Sequence, residues 1–223
     1  MTSFLRVDFC CGTFRQARER LCSPRVEWLF PDVRRKHGFI ANYWLIAFIF
    51  LGFWLPWVVD ASLLDRFALR SLALPGLVTH PFFHVHSLHL LWNLLLLACF
   101  GGIACNELGN LRHAILFLVF SVVSGATHAM FDGDRAVGAS GAVCGFAGLV
   151  LTLRMEGAVS FPDDSVRVRV QSLAKLLVLK DVLLWLLPDL HISLAGHCGG
   201  YAAGVIVGCL MCASPFLRGS KAS

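Results

Sequence analysis

Six apolar runs recur along this chain, most of them near the roughly 20 residues that an α-helix needs to cross a hydrocarbon layer, and short charged or glycine-rich turns part them. They lie at about 40–59, 88–105, 111–130, 140–153, 172–189 and 193–213. A backbone in lipid has no water to satisfy its polar groups, so such runs have to close their hydrogen bonds internally, as helices. The expected fold is therefore all-α, a polytopic membrane protein with a six-transmembrane-helix bundle. The fifth run is the least regular. Lys175, Lys180 and Asp181 interrupt it, where Lys175 can snorkel and Lys180 can pair with its acidic neighbour.

Composition agrees. A mean hydropathy of +0.71 with only 15% charged residues does not suit a soluble surface. The first run begins near residue 39, behind a polar basic leader, so it does not read as a cleaved signal peptide. Three regions follow: 1–38, a basic N-terminal segment; 39–214, the six-helix membrane domain; and 215–223, a short tail. The leader reads either as disordered chain or as a short amphipathic helix lying on the membrane. Arg and Lys concentrate in the segments that six spans place inside, so both termini are expected in the cytoplasm of a bacterial inner membrane or its equivalent. The same bias explains the net charge of +5 without nucleic acid, since the basic residues form no single stripe. The nine cysteines fall mostly within apolar runs, lack paired zinc-ligand spacing and read as small buried hydrophobes. No metal and no cofactor is expected.

Polar residues inside the runs carry the chemistry. Ser140 opens an apolar stretch notched by Gly141, Gly145 and Gly148, and a serine there is either a helix cap or a nucleophile. His89 and Asn93, four apart, share one face of the second run; they are either interhelical hydrogen-bonding partners or paired donors for an anion. His197 precedes Gly200, Gly204 and Gly208, so the fourth and sixth runs both present surfaces nearly free of side chains, which permits close backbone approach. Ser140 and His197 stand near the start of these two surfaces. Close packing would bring hydroxyl and imidazole to one depth, beside His89 and Asn93, which supplies a nucleophile, a base and donors for developing negative charge.

These residues resemble the rhomboid family of intramembrane serine proteases. Gly138-Ala139-Ser140-Gly141 is similar to its nucleophile motif, His89-Leu90-Leu91-Trp92-Asn93 to its oxyanion motif, and His197-Cys198-Gly199-Gly200 with Gly204 to its base helix. Thr79, Phe83 and His84 before the pair, and Phe100-Gly101-Gly102 with Glu107 and Gly109 after it, extend the likeness over about residues 75–210. The resemblance implies that Ser140 is the nucleophile and His197 the base, that the Ser140 backbone N–H, His89 and Asn93 form the oxyanion pocket, and that His84 and His80 line its entrance or serve structurally. Substrates would be single-span or polytopic membrane proteins, entering from the lipid bilayer past the fifth span and cut on the extracytoplasmic side. Two positions depart from the pattern. Pro75 and Gly76 replace a Trp-Arg pair, and Cys144 replaces a tyrosine that stacks on the histidine, so His197 is expected to be held less firmly. No carboxylate is evidently placed to orient the base, and Asp132 and Asp134 are candidates by proximity in sequence alone; a Ser-His dyad is expected.

Two other readings fit the same spans. One is a rhomboid-like protein that binds transmembrane helices without cutting them, against which the presence of both Ser140 and His197 weighs. The other is a small channel or transporter, which the absence of an inverted repeat disfavours.

Overall fold

The computed structural model describes residues 37–160, 167–186 and 193–214. The expectations for the N-terminal segment, for the end of the fifth run and for the tail fall outside these residues. The described chain is largely helical and spans the membrane more than once. Helix α1 (Ile40–Val58) carries Pro56 in its last turn and ends two residues later. Short helices α2 (Ser62–Phe67) and α3 (Gly76–Thr79) and a 3-10 turn (His80–Phe82) follow. Next come α4 (Ser87–Leu96), a π turn (Leu97–Gly101) and α5 (Gly102–Leu108), which together form one continuous rod. Helices α6 (Asn110–Phe131), α7 (Ser140–Thr152), α8 (Val170–Trp185) and α9 (Leu194–Ala213) complete the order. Between α7 and α8 lies an antiparallel hairpin, β1 (Ala158–Ser160) with β2 (Arg167–Arg169), in a loop for which the sequence pattern suggested no strands.

Among the described residues four helices are long and apolar enough to cross a membrane: α1, the α4–α5 rod, α6 and α9. The six expected spans are thus not all of one kind. At 13 residues, α7 is about 20 Å long against a core of about 30 Å. It can be short because protein surrounds it: every residue from Gly141 to Val150 is buried. Helix α8 has 16 residues and keeps its charges. The outer surface is apolar, with Trp57 73% and Trp92 62% exposed, as a lipid-facing wall requires.

The segment between α1 and α4 is largely exposed, but parts of it are tied into the protein. Ala68, Leu69, His80, Pro81, Phe83 and His84 are all buried. Thr79 Oγ1 donates to the Phe67 carbonyl (2.8 Å), Phe67 stacks on Phe83, and the Leu69 backbone pairs with Ala136. Gly76 lets the chain pass close against the Ala68 carbonyl, which a Cβ there would overlap. At the opposite end, Gly109 takes φ +87° and ψ 162°, a conformation nearly restricted to glycine. It turns the chain directly from α5 into α6. Asn110 in that turn accepts the Ala41 N–H (2.9 Å), satisfying an orphan donor of the first turn of α1.

Glycines set the packing of the central three helices. A Cβ on Gly200 would overlap the Gly141 carbonyl, and one on Gly204 the Gly145 carbonyl; one on Gly208 would come 2.7 Å from Thr152. The paired numbers rise together, so α7 and α9 run parallel and begin at the same end. Gly141 also meets Ser124, Gly145 meets Phe120, and Gly199 meets Thr127, which sets α6 antiparallel to both. Of the cysteines, Cys105 and Cys144 are buried as expected, whereas Cys198, Cys209 and Cys212 are exposed on α9.

Candidate active site

The site grows from the loop that enters α7. Ser140 is the first residue of the helix; Ala139 holds the cap position and no side chain caps the end. The serine hydroxyl is therefore not spent on capping. Gly138, two residues earlier, has φ +128°, and its N–H donates to the His80 carbonyl (2.9 Å). A Cβ there would lie 2.7 Å from His89 Cε1. Glycine is needed twice over, for the left-handed backbone and for the imidazole that packs against it.

His89 and Asn93 sit one turn apart on α4, beside this loop. The His89 and His84 rings meet edge to face, with centroids 5.1 Å apart. Asn93 Nδ2 donates to His84 Nε2 (3.0 Å) and to the His89 carbonyl (3.1 Å). The Ala139 N–H also points at His84 Nε2, at 3.4 Å. Both amide hydrogens of Asn93 are thus engaged, and meeting an oxyanion would require it to release one. His84 Nε2 is an acceptor here, so the neutral ring carries its proton on Nδ1.

His80 and His84 lie outside the spanning helices. Burial pushes His80 down to about 4 and His84 down to about 3, so both stay neutral near pH 7. Because these values lie below the unfolded value near 6.5, the unfolded chain binds more protons throughout the interval between them. Their contribution to stability is full above about pH 6.5 and is lost as the pH falls towards 3 to 4. The detergent-solubilised protein should accordingly melt at a lower temperature at pH 4.5 than at pH 7. His84→Gln, which cannot titrate, should flatten that dependence; an unchanged slope would contradict the assignment.

Ser140 lines a small cavity with Ser124, Ser193, His80 and His128. His128 Nε2 donates to the Asp134 carbonyl (2.8 Å), and its Nδ1 lies 2.7 Å from Ser193 Oγ and 3.0 Å from Asp132 Oδ2. Both ring nitrogens are occupied, which leaves His128 no lone pair for Ser140. This network is where Asp132 and Asp134 belong: they serve His128, at the end of α6, and not the imidazole for which sequence proximity suggested them. A histidine in the last turn of a helix, just before Asp132-Gly133-Asp134, was the available signal.

His197 lies in the first turn of α9, three residues before Gly200, and so stands at the same end as Ser140. The hydrogen bonds among the described residues include none between the two. Its Nδ1 lies 3.1 Å from Asp181 Oδ2, the two side chains being 9% and 5% exposed. Tyr201 OH donates to the same oxygen (3.0 Å), and Lys180 Nζ lies 2.6 Å from Oδ1. His197 Nε2 has no partner among the described residues. Far from being loosely held because Cys144 replaces a tyrosine, the ring is anchored from α8, and the tyrosine hydroxyl in this neighbourhood comes from α9 itself. Cys144, Asp181 and His197 each bring one potential ligand atom within 4.8 Å of the others; the Asp181–His197 hydrogen bond accounts for two of the three. In the amino-acid sequence Asp181 stands as an interruption of the fifth run. The face Val170, Ala174, Leu177, Asp181, at spacings of four, three and four, is the pattern that points it inward.

Residues 72–214 match the Rhomboid domain family. Relatives include the rhomboid protease GlpG of Yersinia pestis (strain Pestoides F) and that of Yersinia pseudotuberculosis serotype O:3 (strain YPIII). Each is 31% identical over 165 residues, which cover 71% of this chain and 51% of the relative. The chain spans about half the length of the curated relatives it matches.

Proposed function

The chain belongs to the rhomboid family, and from that premise we propose that it is an intramembrane serine endopeptidase, cutting transmembrane segments near the outer membrane face. The observation that carries the reading is the parallel glycine register of α7 and α9. In that register a serine hydroxyl that caps nothing and an imidazole whose Nε2 has no partner among the described residues stand at one end of two helices in backbone contact. In this reading α7 and α8 complete a six-helix bundle, with both termini cytoplasmic and the site opening outward.

His197 Nε2 takes the Ser140 proton as Oγ attacks the peptide carbonyl. The Ser140 N–H, His89 and a released Asn93 amide meet the oxyanion, each donor being worth on the order of 3 kcal/mol to the transition state. The imidazolium protonates the leaving amine as the C–N bond breaks; water, activated by the same nitrogen, then frees the acyl group. Substrates would be single-span or polytopic membrane proteins entering laterally from lipid.

The test is fluorophosphonate labelling of the detergent-solubilised protein, with the adduct mapped by mass spectrometry, alongside cleavage of a single-span reporter in liposomes. The reading expects one adduct, on Ser140, and a cut within the reporter span. An adduct on Ser124 or Ser193, which line the same cavity, would remove Ser140 from its role. Folded protein that binds the reporter without cutting it would favour the helix-binding alternative.

A further inference from the structure

We propose that Asp181 is a positioning residue for His197, making the active centre a Ser-His-Asp relay assembled from three helices and not the dyad expected from the sequence; this rests on the peptidase reading above. An ionised carboxylate only accepts hydrogen bonds. The 3.1 Å contact to Nδ1 therefore places the imidazole proton on Nδ1 and leaves the lone pair on Nε2, the nitrogen that has no partner among the described residues and the one a serine hydroxyl needs. The second hydrogen bond to Oδ2, from Tyr201 OH, and the Lys180 ammonium beside Oδ1 hold the carboxylate in place and offset part of the cost of burying its charge.

The pairing is not an accident of a surface charge folding inward. Beyond Ala174, Asp181 is the only buried residue in the described part of α8, while Leu176, Leu179, Val182, Leu183 and Trp185 around it are exposed. A helix that needed only to pack there would present a leucine. A lone carboxylate aimed at the imidazole of the neighbouring helix pays for its desolvation only if the polar contact is used.

The role is tested first on the wild-type protein, without substrate. Nitrogen-15 shifts of the His197 ring, assigned by their loss in His197→Gln, should report protonated Nδ1 and unprotonated Nε2 at neutral pH; the opposite tautomer would overturn the proposal. Asp181→Asn, whose amide can donate to Nδ1, should reverse the tautomer. It should lower kcat at least about 100-fold while KM stays within about threefold. Asp181→Glu, which keeps an acceptor, should recover to within about tenfold of wild type. A kcat for Asp181→Asn within threefold of wild type, or a loss fully matched by loss of folded protein with the tautomer unchanged, would reduce Asp181 to a packing residue. The tautomer is measured without cleavage, so wild-type protein that fails to cut its reporter would sink the peptidase reading and leave this measurement to stand on its own.

Discussion

Ser140→Ala is expected to yield a folded protein whose cleavage of a single-span reporter falls at least about 10⁴-fold, to the rate of unassisted positioning. The substitution removes one oxygen from the first residue of α7, where no cap hydrogen bond depends on it. The melting temperature should therefore stay close to wild type, which separates loss of chemistry from loss of fold. His197→Ala should cost a comparable factor, since a serine hydroxyl without its base is a poor nucleophile. Because the two groups act as a unit, the double variant should be little worse than either single one. Turnover surviving in either single variant, measured in liposomes with product mass confirming the cut, would end the Ser-His assignment.

Gly204→Ala is expected to disable the enzyme from a distance. The residue lies well along α9 from His197, yet a Cβ there would overlap the Gly145 carbonyl and approach Leu149 N at 2.9 Å. Both neighbours are backbone, so no side chain can rotate away and the helices themselves have to part. Such overpacking costs about 1 to 3 kcal/mol, occasionally more. Displacing one helix by about 1 Å shifts the Ser140 and His197 groups relative to each other, which can cost about 100-fold in rate. Gly102→Ala is the contrast. Its nearest neighbour would be Asn42 Nδ2 at 3.6 Å, an ordinary contact, and activity and melting temperature should change little. Equal effects from the two substitutions would show that the glycine register does not govern the site.

The limits of the long helices, the glycine faces of α7 and α9 and the shared face of His89 and Asn93 were all legible in the amino-acid order. Each depends on a periodicity within one segment, and a helix rises and turns by the same amount per residue wherever it sits. Even α8 displays its inward stripe, although a charge within an apolar run looks like an interruption of it. What only the tertiary structure decided were the partners: that Asp181 meets His197, that Asp132 and Asp134 serve His128, that both Asn93 hydrogens are engaged by His84 and the His89 carbonyl, and that α7 is short because helices enclose it. Those pairings depend on how far each helix is rotated about its axis and shifted along its neighbour. Contacts between residues distant in the chain set both quantities, so a period of 3.6 cannot encode them.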